Sequence, residues 1–276
     1  MIAYDEERAF YGIRGEKLSD ILFAGPADGE SALKETKDIE LVGCDFRLRY
    51  PMWHCDTFTM ENCVWSDTVR AGLWYSQNGR IKDCKMDGVK AVRECKNISI
   101  QNCEINSTEF GWKCDGIDLK KTGLAGEYAF LDSKNITLED VEFSGKYSFQ
   151  YTENVKIKNC VLDTKDAFWN SKNVTVENSK VKGEYLGWYS DGLTLINCEI
   201  TGTQPLCCCT NLKLINCTME GCDLSFEYSE VEADIRGHID SVKNPLAGTI
   251  AAESVGELIA GSDARGCSGN VIIREA

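Results

Sequence analysis

Lys96-Asn97-Ile98-Ser99-Ile100-Gln101-Asn102-Cys103-Glu104-Ile105 is echoed by Glu153-Asn154-Val155-Lys156-Ile157-Lys158-Asn159-Cys160-Val161-Leu162 and again by Asp191-Gly192-Leu193-Thr194-Leu195-Ile196-Asn197-Cys198-Glu199-Ile200. Aligning Cys44, Cys63, Cys84, Cys103, Cys160, Cys198 and Cys217 gives steps of 19, 21, 19, 57, 38 and 19 residues. That is a period of 19 with one two-residue insertion, and a fixed period of this size is the signature of a stacked repeat. Ile39, Phe58, Gly79, Ile98, Ile117, Ile136, Val155, Val174, Leu193 and Leu212 head the repeats at position 1.

Down the columns, positions 1 and 3 are apolar, a two-residue period that reads as strand. Position 5 carries Asn62, Asp83, Asn102, Asn159, Asn178, Asn197 and Asn216, and position 19 carries Asn78, Asn97, Asn135, Asn154, Asn173 and Asn211. These residues tolerate left-handed backbone and can hydrogen-bond from coil to coil. A second short strand has cysteine or a small residue at position 6 and an apolar residue at position 8. A third is expected over positions 13 to 17. Three short strands per repeat predict an all-β, single-stranded parallel β-helix of about eleven coils, in which each coil buries its face on the next. Unequal strands and Asn turns favour the right-handed form. One domain is expected, with coils over 20–239 and caps at 1–19 and 240–276 that cover the strand edges.

Lys plus Arg is 30 and Asp plus Glu 44, a formal net charge of −14 with no basic cluster, so nucleic acid is not an expected partner. No apolar run reaches the ~20 residues of a membrane span, and the N-terminus lacks a signal-peptide pattern; a cytoplasmic protein is expected, with no membrane partner. Fifteen cysteines in that setting read as reduced thiols, and those at position 6 interchange with Thr122, Val141 and Ser179 as small interior fillers. Cys207-Cys208-Cys209 alternate faces and their role stays open. The two histidines, His54 and His238, have no zinc spacing, and no phosphate loop or catalytic triad order occurs, so neither metal nor cofactor is expected.

Function falls to the solvent-facing columns. Position 14 is mainly large and apolar and position 17 small, so both suit the interior; a bend between them turns positions 15 and 16 outward. Position 15 holds Trp53, Trp74, Arg93, Trp112, Trp169 and Trp188, and position 16 holds His54, Tyr75, Glu94, Lys113, Asp132, Tyr151 and Tyr189. Aromatic faces beside carboxylates, amide and imidazole suit stacking on sugars and bonding to their hydroxyls; the competing reading is a column that packs on itself for stability. The candidate ligand-binding residues are Trp53, His54, Trp74, Tyr75, Arg93, Trp112, Tyr151, Trp169, Trp188 and Tyr189. Glu94, Lys113 and Asp132 are the candidate catalytic residues. Glu94 and Asp132 sit two strand spacings apart, roughly 10 Å, near the upper end of the ~6.5–9.5 Å used in inverting glycoside hydrolysis. A lyase would instead use Lys113 or Arg93 as base. Alternating charge up the ladder also has a purely structural reading, avoidance of like-charge stacking.

Glu30-Ser31-Ala32-Leu33-Lys34-Glu35, Tyr50-Pro51-Met52-Trp53-His54, Leu73-Trp74-Tyr75-Ser76, Gly183-Glu184-Tyr185-Leu186, Gln204-Pro205-Leu206-Cys207 and Lys243-Asn244-Pro245 together resemble a family of bacterial cytosolic proteins of unknown function. The resemblance spans essentially the whole chain and implies the right-handed β-helix, without assigning an activity or a residue role. The expected function is binding, with or without processing, of an oligosaccharide on the aromatic-rich face. The alternative is a non-enzymatic β-helix that binds a protein or pairs with itself as a homo-oligomer through the tryptophan strip.

Overall fold

A computed structural model describes residues 1–25, 30–262, 264 and 266–274. Every regular element among them is a strand. The chain divides into two compact units, Met1–Glu142 and Phe143–Ala276, built on the same plan.

In the first unit, six-residue strands recur at Lys37–Val42, Asp56–Glu61, Gln77–Lys82, Lys96–Gln101, Asp115–Lys120 and Lys134–Glu139. They pair in parallel, with Ile39, Phe58, Gly79, Ile98, Ile117 and Ile136 in one register. The two-residue insertion leaves this register intact, being absorbed between the strands Val64–Trp65 and Leu73–Trp74. Gly79 is required in its column: a Cβ there would lie 2.2 Å from the Phe58 ring, which fills the space. In the second unit Glu153–Lys158, Lys172–Glu177 and Asp191–Ile196 stack likewise, with Val155, Val174 and Leu193 aligned. The chain therefore forms the expected parallel β-solenoid with ~19-residue spacing, in about 14 turns rather than eleven. The larger count arises because the terminal stretches are coiled too: Ile2–Tyr4 pairs with Ile21–Phe23, and Ala247–Ala252 with Asn270–Ile273.

The Asn columns sit where the backbone turns left-handed, as at Asn97 (φ 53°) and Asn102 (φ 53°). They also bond between coils: Asn97 Nδ2 donates to Asn78 Oδ1 at 3.1 Å, Asn197 to Asn178 at 3.0 Å and Asn216 to Asn197 at 2.7 Å.

The interior columns are large at position 14 and small at positions 6 and 17. Met52, Leu73 and Phe130 in the first unit, and Phe149, Phe168 and Leu206 in the second, are fully buried, each large side chain contributing about 1.5–3 kcal/mol. Phe149 and Phe168 stack with centroids 5.1 Å apart. The cysteines are more than fillers. Cys63 N–H donates to Cys84 Sγ and Cys84 N–H to Cys103 Sγ, both at 3.3 Å, while Cys103 N–H donates to Thr122 Oγ1 at 3.3 Å. Where the column holds Cys, Ser or Thr, a small side chain with an acceptor atom thus caps the amide of the preceding coil; Val141 in the same column offers no such acceptor. None of the described cysteines is disulfide-bonded, and all but Cys208 and Cys267 are buried.

The third strand differs from expectation. It survives only as the two-residue strands Met52–Trp53, Leu73–Trp74 and Val92–Arg93. From Gly111 (φ 72°) onward position 14 also turns left-handed, as at Phe130 (64°), Phe168 (63°) and Leu206 (62°). With positions 12, 14 and 16 all left-handed, the extended ladder is lost, although coil-to-coil bonds such as Phe130 N–H to Phe110 O (2.7 Å) persist.

Candidate functional site

Position 16 is where the chain bends. His54, Tyr75, Glu94, Lys113 and Asp132 in the first unit, and Tyr151, Asn170 and Tyr189 in the second, all have φ between 51° and 58°. This left-handed residue lets positions 14 and 17 both point inward while 15 and 16 reach the surface.

In the first unit the position-15 side chains pile into one column. Lys34 Nζ lies 4.3 Å from the Trp53 ring centroid, Trp53 stacks on Trp74 (5.6 Å, 15°), and Arg93 sits between Trp74 (5.8 Å) and Trp112 (5.7 Å). His54 and Tyr75 form a parallel stack alongside (5.1 Å, 17°), each also stacked on its neighbouring tryptophan. The ring faces are therefore used up by one another and by cations, leaving mainly edges for solvent. Here the self-packing reading accounts for the tryptophans. Trp112 Nε1 donates to the Tyr128 carbonyl, whereas Trp53 Nε1 and Trp74 Nε1 are buried without a partner.

Glu94, Lys113 and Asp132 occupy successive coils, linked by backbone bonds from Glu94 N–H to Trp112 O (2.8 Å) and Lys113 N–H to Leu131 O (3.0 Å). Arg93 Nε holds Glu94 Oε1 at 3.0 Å. Burial pushes the Glu94 carboxyl up, but Arg93, Tyr75 and Trp74 beside it together outweigh that and keep it below the usual carboxylate range; the Trp74 indole does so from outside hydrogen-bond geometry. A carboxylate held ionised is a poor proton donor at neutral pH. Lys113 and Asp132 are exposed and form no ion pair among the described residues. The column can offer hydrogen bonds to hydroxyls, but it lacks the acid half of a hydrolytic pair at Glu94.

The second unit is arranged differently. Trp169 and Trp188 stack (5.6 Å, 7°), and their indoles are pinned to the next coil by bonds to Tyr185 O (3.0 Å) and Gln204 O (2.9 Å). Tyr185 packs edge-on to Trp188 (5.6 Å, 83°). In front of them Tyr151 and Tyr189 are 59% and 54% exposed, with Asn170 on the coil between; backbone bonds join Tyr151 N–H to Trp169 O (2.8 Å) and Asn170 N–H to Trp188 O (3.0 Å).

A further column, position 12, escaped the reading of the sequence. It holds Tyr147, Asp166, Tyr185 and Gln204, all left-handed (φ 50–57°), and its carbonyls accept the bonds from Trp169, Trp188 and Gln150 (Gln150 Nε2 to Asp166 O, 3.2 Å). The recurrence of tyrosine at Tyr50, Tyr128, Tyr147 and Tyr185 was the available signal. Asp166 is only 7% exposed, and burial raises its carboxyl pKa, opposed by Lys165 and reinforced by Glu184. Elsewhere, a groove of about 450 Å3 on the outer face of the long strands of the first unit is lined by Asn78, Arg80, Asn97, Ser99 and Asp118 among others.

Among the described residues no group of three or more His, Cys, Asp or Glu is placed to hold a metal ion. Cys207 and Cys209 are buried and Cys208 half-exposed, but the expected strand is absent here: Cys208 is the left-handed residue of the bend (φ 57°), and that bend sets which side chain faces out. No described helix is long and apolar enough to cross a membrane.

A family model described as "Protein of unknown function (DUF3737)" matches residues 2–273. No curated protein matches the chain. Among solved structures, the surface protein and adhesin PfbA of Streptococcus pneumoniae is similar at 8% identity over 94% of this chain and 91% of that one, with a TM-score of 0.46. The mannuronan C-5 epimerase AlgE6 A-module of Azotobacter vinelandii is similar at 10% identity over 96% and 90%, TM-score 0.40. The pentapeptide repeat protein HetL of Nostoc sp. is similar at 11% identity over 80% and 92%, TM-score 0.32.

Proposed function

Because the chain belongs to the DUF3737 family of proteins of unknown function, its role must be read from its own surface, and we propose that it binds an oligosaccharide without altering it, on the tyrosine-edged face of the second unit. The observation that carries this reading is the pair of exposed tyrosines, Tyr151 and Tyr189, bracketing the Asn170 amide. Two strand spacings separate them, about 10 Å, which matches two linked sugar rings. The rings behind are locked by stacking and by indole bonds to the backbone, so little ordering entropy is lost on binding. The charge-paired Glu94 supports binding rather than hydrolysis.

The test is an oligosaccharide array followed by calorimetry on the hits. Tyr189→Ala and Tyr151→Ala each remove an exposed ring, so each should weaken binding up to about tenfold, for stacking worth about 0.5–1.5 kcal/mol, with the melting temperature nearly unchanged. Absence of any oligosaccharide binding at millimolar concentration, or binding indifferent to both substitutions, overturns the proposal. A protein partner captured through the same tyrosines would support the interaction-module alternative instead.

A further inference from the structure

We propose that the groove on the long-strand face of the first unit binds a short zwitterionic peptide, with the peptide carboxylate on Arg80 and its ammonium group on Asp118. The site is separate from the tyrosine-edged face and does not rest on the sugar-binding reading. The groove, about 450 Å3, crosses the strands Asp56–Glu61, Gln77–Lys82, Lys96–Gln101 and Asp115–Lys120, and Arg80, Asn97, Ser99 and Asp118 are among its lining. Arg80, Ser99 and Asp118 follow one another in position 2, in register on successive coils, and all three are exposed.

On the lanes to either side, opposite charges already pair from coil to coil. At position 4 Lys82 meets Glu61 at 3.5 Å and Lys120 meets Glu139 at 2.8 Å; at position 18 Lys37 meets Asp56 at 3.5 Å and Lys134 meets Asp115 at 3.4 Å. Arg80 and Asp118 are also opposite in sign, but the Ser99 coil stands between them, and among the described residues neither forms an ion pair. The Asn ladder supplies a third group. Asn78 Nδ2 donates to Asp56 Oδ1 at 2.9 Å and Asn97 Nδ2 to Asn78 Oδ1 at 3.1 Å. The next coil has Gly116 in this column, so no side chain carries the ladder on. A Cβ at Gly116 would lie 3.0 Å from Asn97 Oδ1, so that acceptor borders the notch the glycine leaves.

A complementary ligand carries an anion and a cation about two strand spacings apart, roughly 10 Å, with an N–H between them for Asn97 Oδ1. An extended tripeptide with free ends has these groups at about that separation, at ~3.3 Å per residue. Its carboxylate takes the planar fork of Arg80, its ammonium group meets Asp118, a backbone N–H donates to Asn97 and a carbonyl accepts from the Ser99 hydroxyl. Being neutral overall, it escapes the repulsion that a net charge of −14 exerts on anions. A phosphate would gain one guanidinium and then face the Asp118 carboxylate. The aromatic residue in the lining, Phe58, is only 2% exposed, so the groove offers no ring face for a sugar to stack on. Exposed ion pairs contribute little each, and a dissociation constant on the order of 1 mM follows.

The experiment is an amide chemical-shift titration of the isotope-labelled chain at pH 6.5 and low salt, where exposed charges are least screened, with trialanine, N-acetyl-trialanine and trialanine amide. Trialanine should shift the amides of Arg80, Ser99 and Asp118 and bind about threefold more tightly than either blocked peptide, the size expected of an exposed ion pair. Arg80→Gln should erase the difference between trialanine and its amide while keeping the preference over the acetylated peptide, and Asp118→Asn should do the reverse. Both side chains are exposed, so both variants should keep the wild-type melting temperature. Equal binding of the three peptides by the wild-type chain overturns the proposal, as does a preference that survives the substitution meant to remove it. Shifts confined to residues outside the groove, or no shift with trialanine at up to about ten times the expected ~1 mM constant, overturn it as well.

Discussion

Replacing Trp53 and Trp112 separately by phenylalanine should give unequal losses of stability, because only one of the two indoles has a bonded N–H. Both residues lie in position 15 of the first unit and both carry a cation over the ring, Lys34 at 4.3 Å and Arg93 at 5.7 Å. The change from indole to phenyl removes the same atoms at each site and keeps a six-membered ring for the cation and, at Trp53, for the stacks on Trp74 and His54. The Trp112 N–H donates to the Tyr128 carbonyl, whereas Trp53 Nε1 is buried with no acceptor. Losing the bond costs about 1 kcal/mol; deleting an unsatisfied donor recovers up to a similar amount. Trp112→Phe should accordingly be less stable than Trp53→Phe by about 1–2 kcal/mol, a difference of roughly 2–8 °C in melting temperature for a unit of this size. Urea titrations followed by far-ultraviolet circular dichroism, at matched protein concentration, measure it. Equal losses at the two sites, or a larger loss at Trp53, would refute the hydrogen-bond assignment of the column.

Cys84→Val should destabilise by about 1 kcal/mol or more, since it strips the acceptor from the Cys63 amide, and Cys84→Ser should cost less; equal urea midpoints for the two would show that the thiol is only a filler. In native protein at pH 8 an alkylating reagent should reach only Cys208 and Cys267, because the other thirteen thiols are buried and burial pushes Cys55 and Cys209 up to about 11; mass spectrometry finding more than two adducts on folded protein contradicts this. Side-chain bonds from Asn78, Asn135 and Asn211 hold Asp56, Asp115 and Asp191 below the usual range. A carboxylate with a depressed folded pKa stabilises above its unfolded value, ~3.9 for Asp, and loses that contribution as the pH falls through the folded one. Asn211→Ala should therefore lower stability at pH 6 and shrink the loss seen on acidification from pH 5 to 2, and an unchanged acid limb in urea midpoints would exclude the ladder as its source.

The 19-residue step, the parallel stacking and the identity of the inward columns could be read from the chain alone, because each coil meets the same environment as its neighbours and so needs the same kinds of residue at the same places. Outward placement of positions 15 and 16 followed from the same logic: Phe168 and Ser171 both had to be buried, so Trp169 and Asn170 had to leave the core. The failed third strand marks the limit of that logic. Phe130 and Phe168 adopt a left-handed backbone that their side chains do not favour in isolation, and only stacking against the coil beside them selects it. The aromatic strip shows the same division. Composition could place tryptophans in one column, but whether their faces met solvent or one another depended on indole bonds to carbonyls 16 residues away, as from Trp188 to Gln204. Asp166 was illegible for a related reason. A carboxylate on the surface of a coil looks solvated in sequence, whereas the stacked coils leave Asp166 only 7% exposed. Periodic chemistry specifies the coil locally; the exposure of any one side chain belongs to the neighbours that stacking brings beside it.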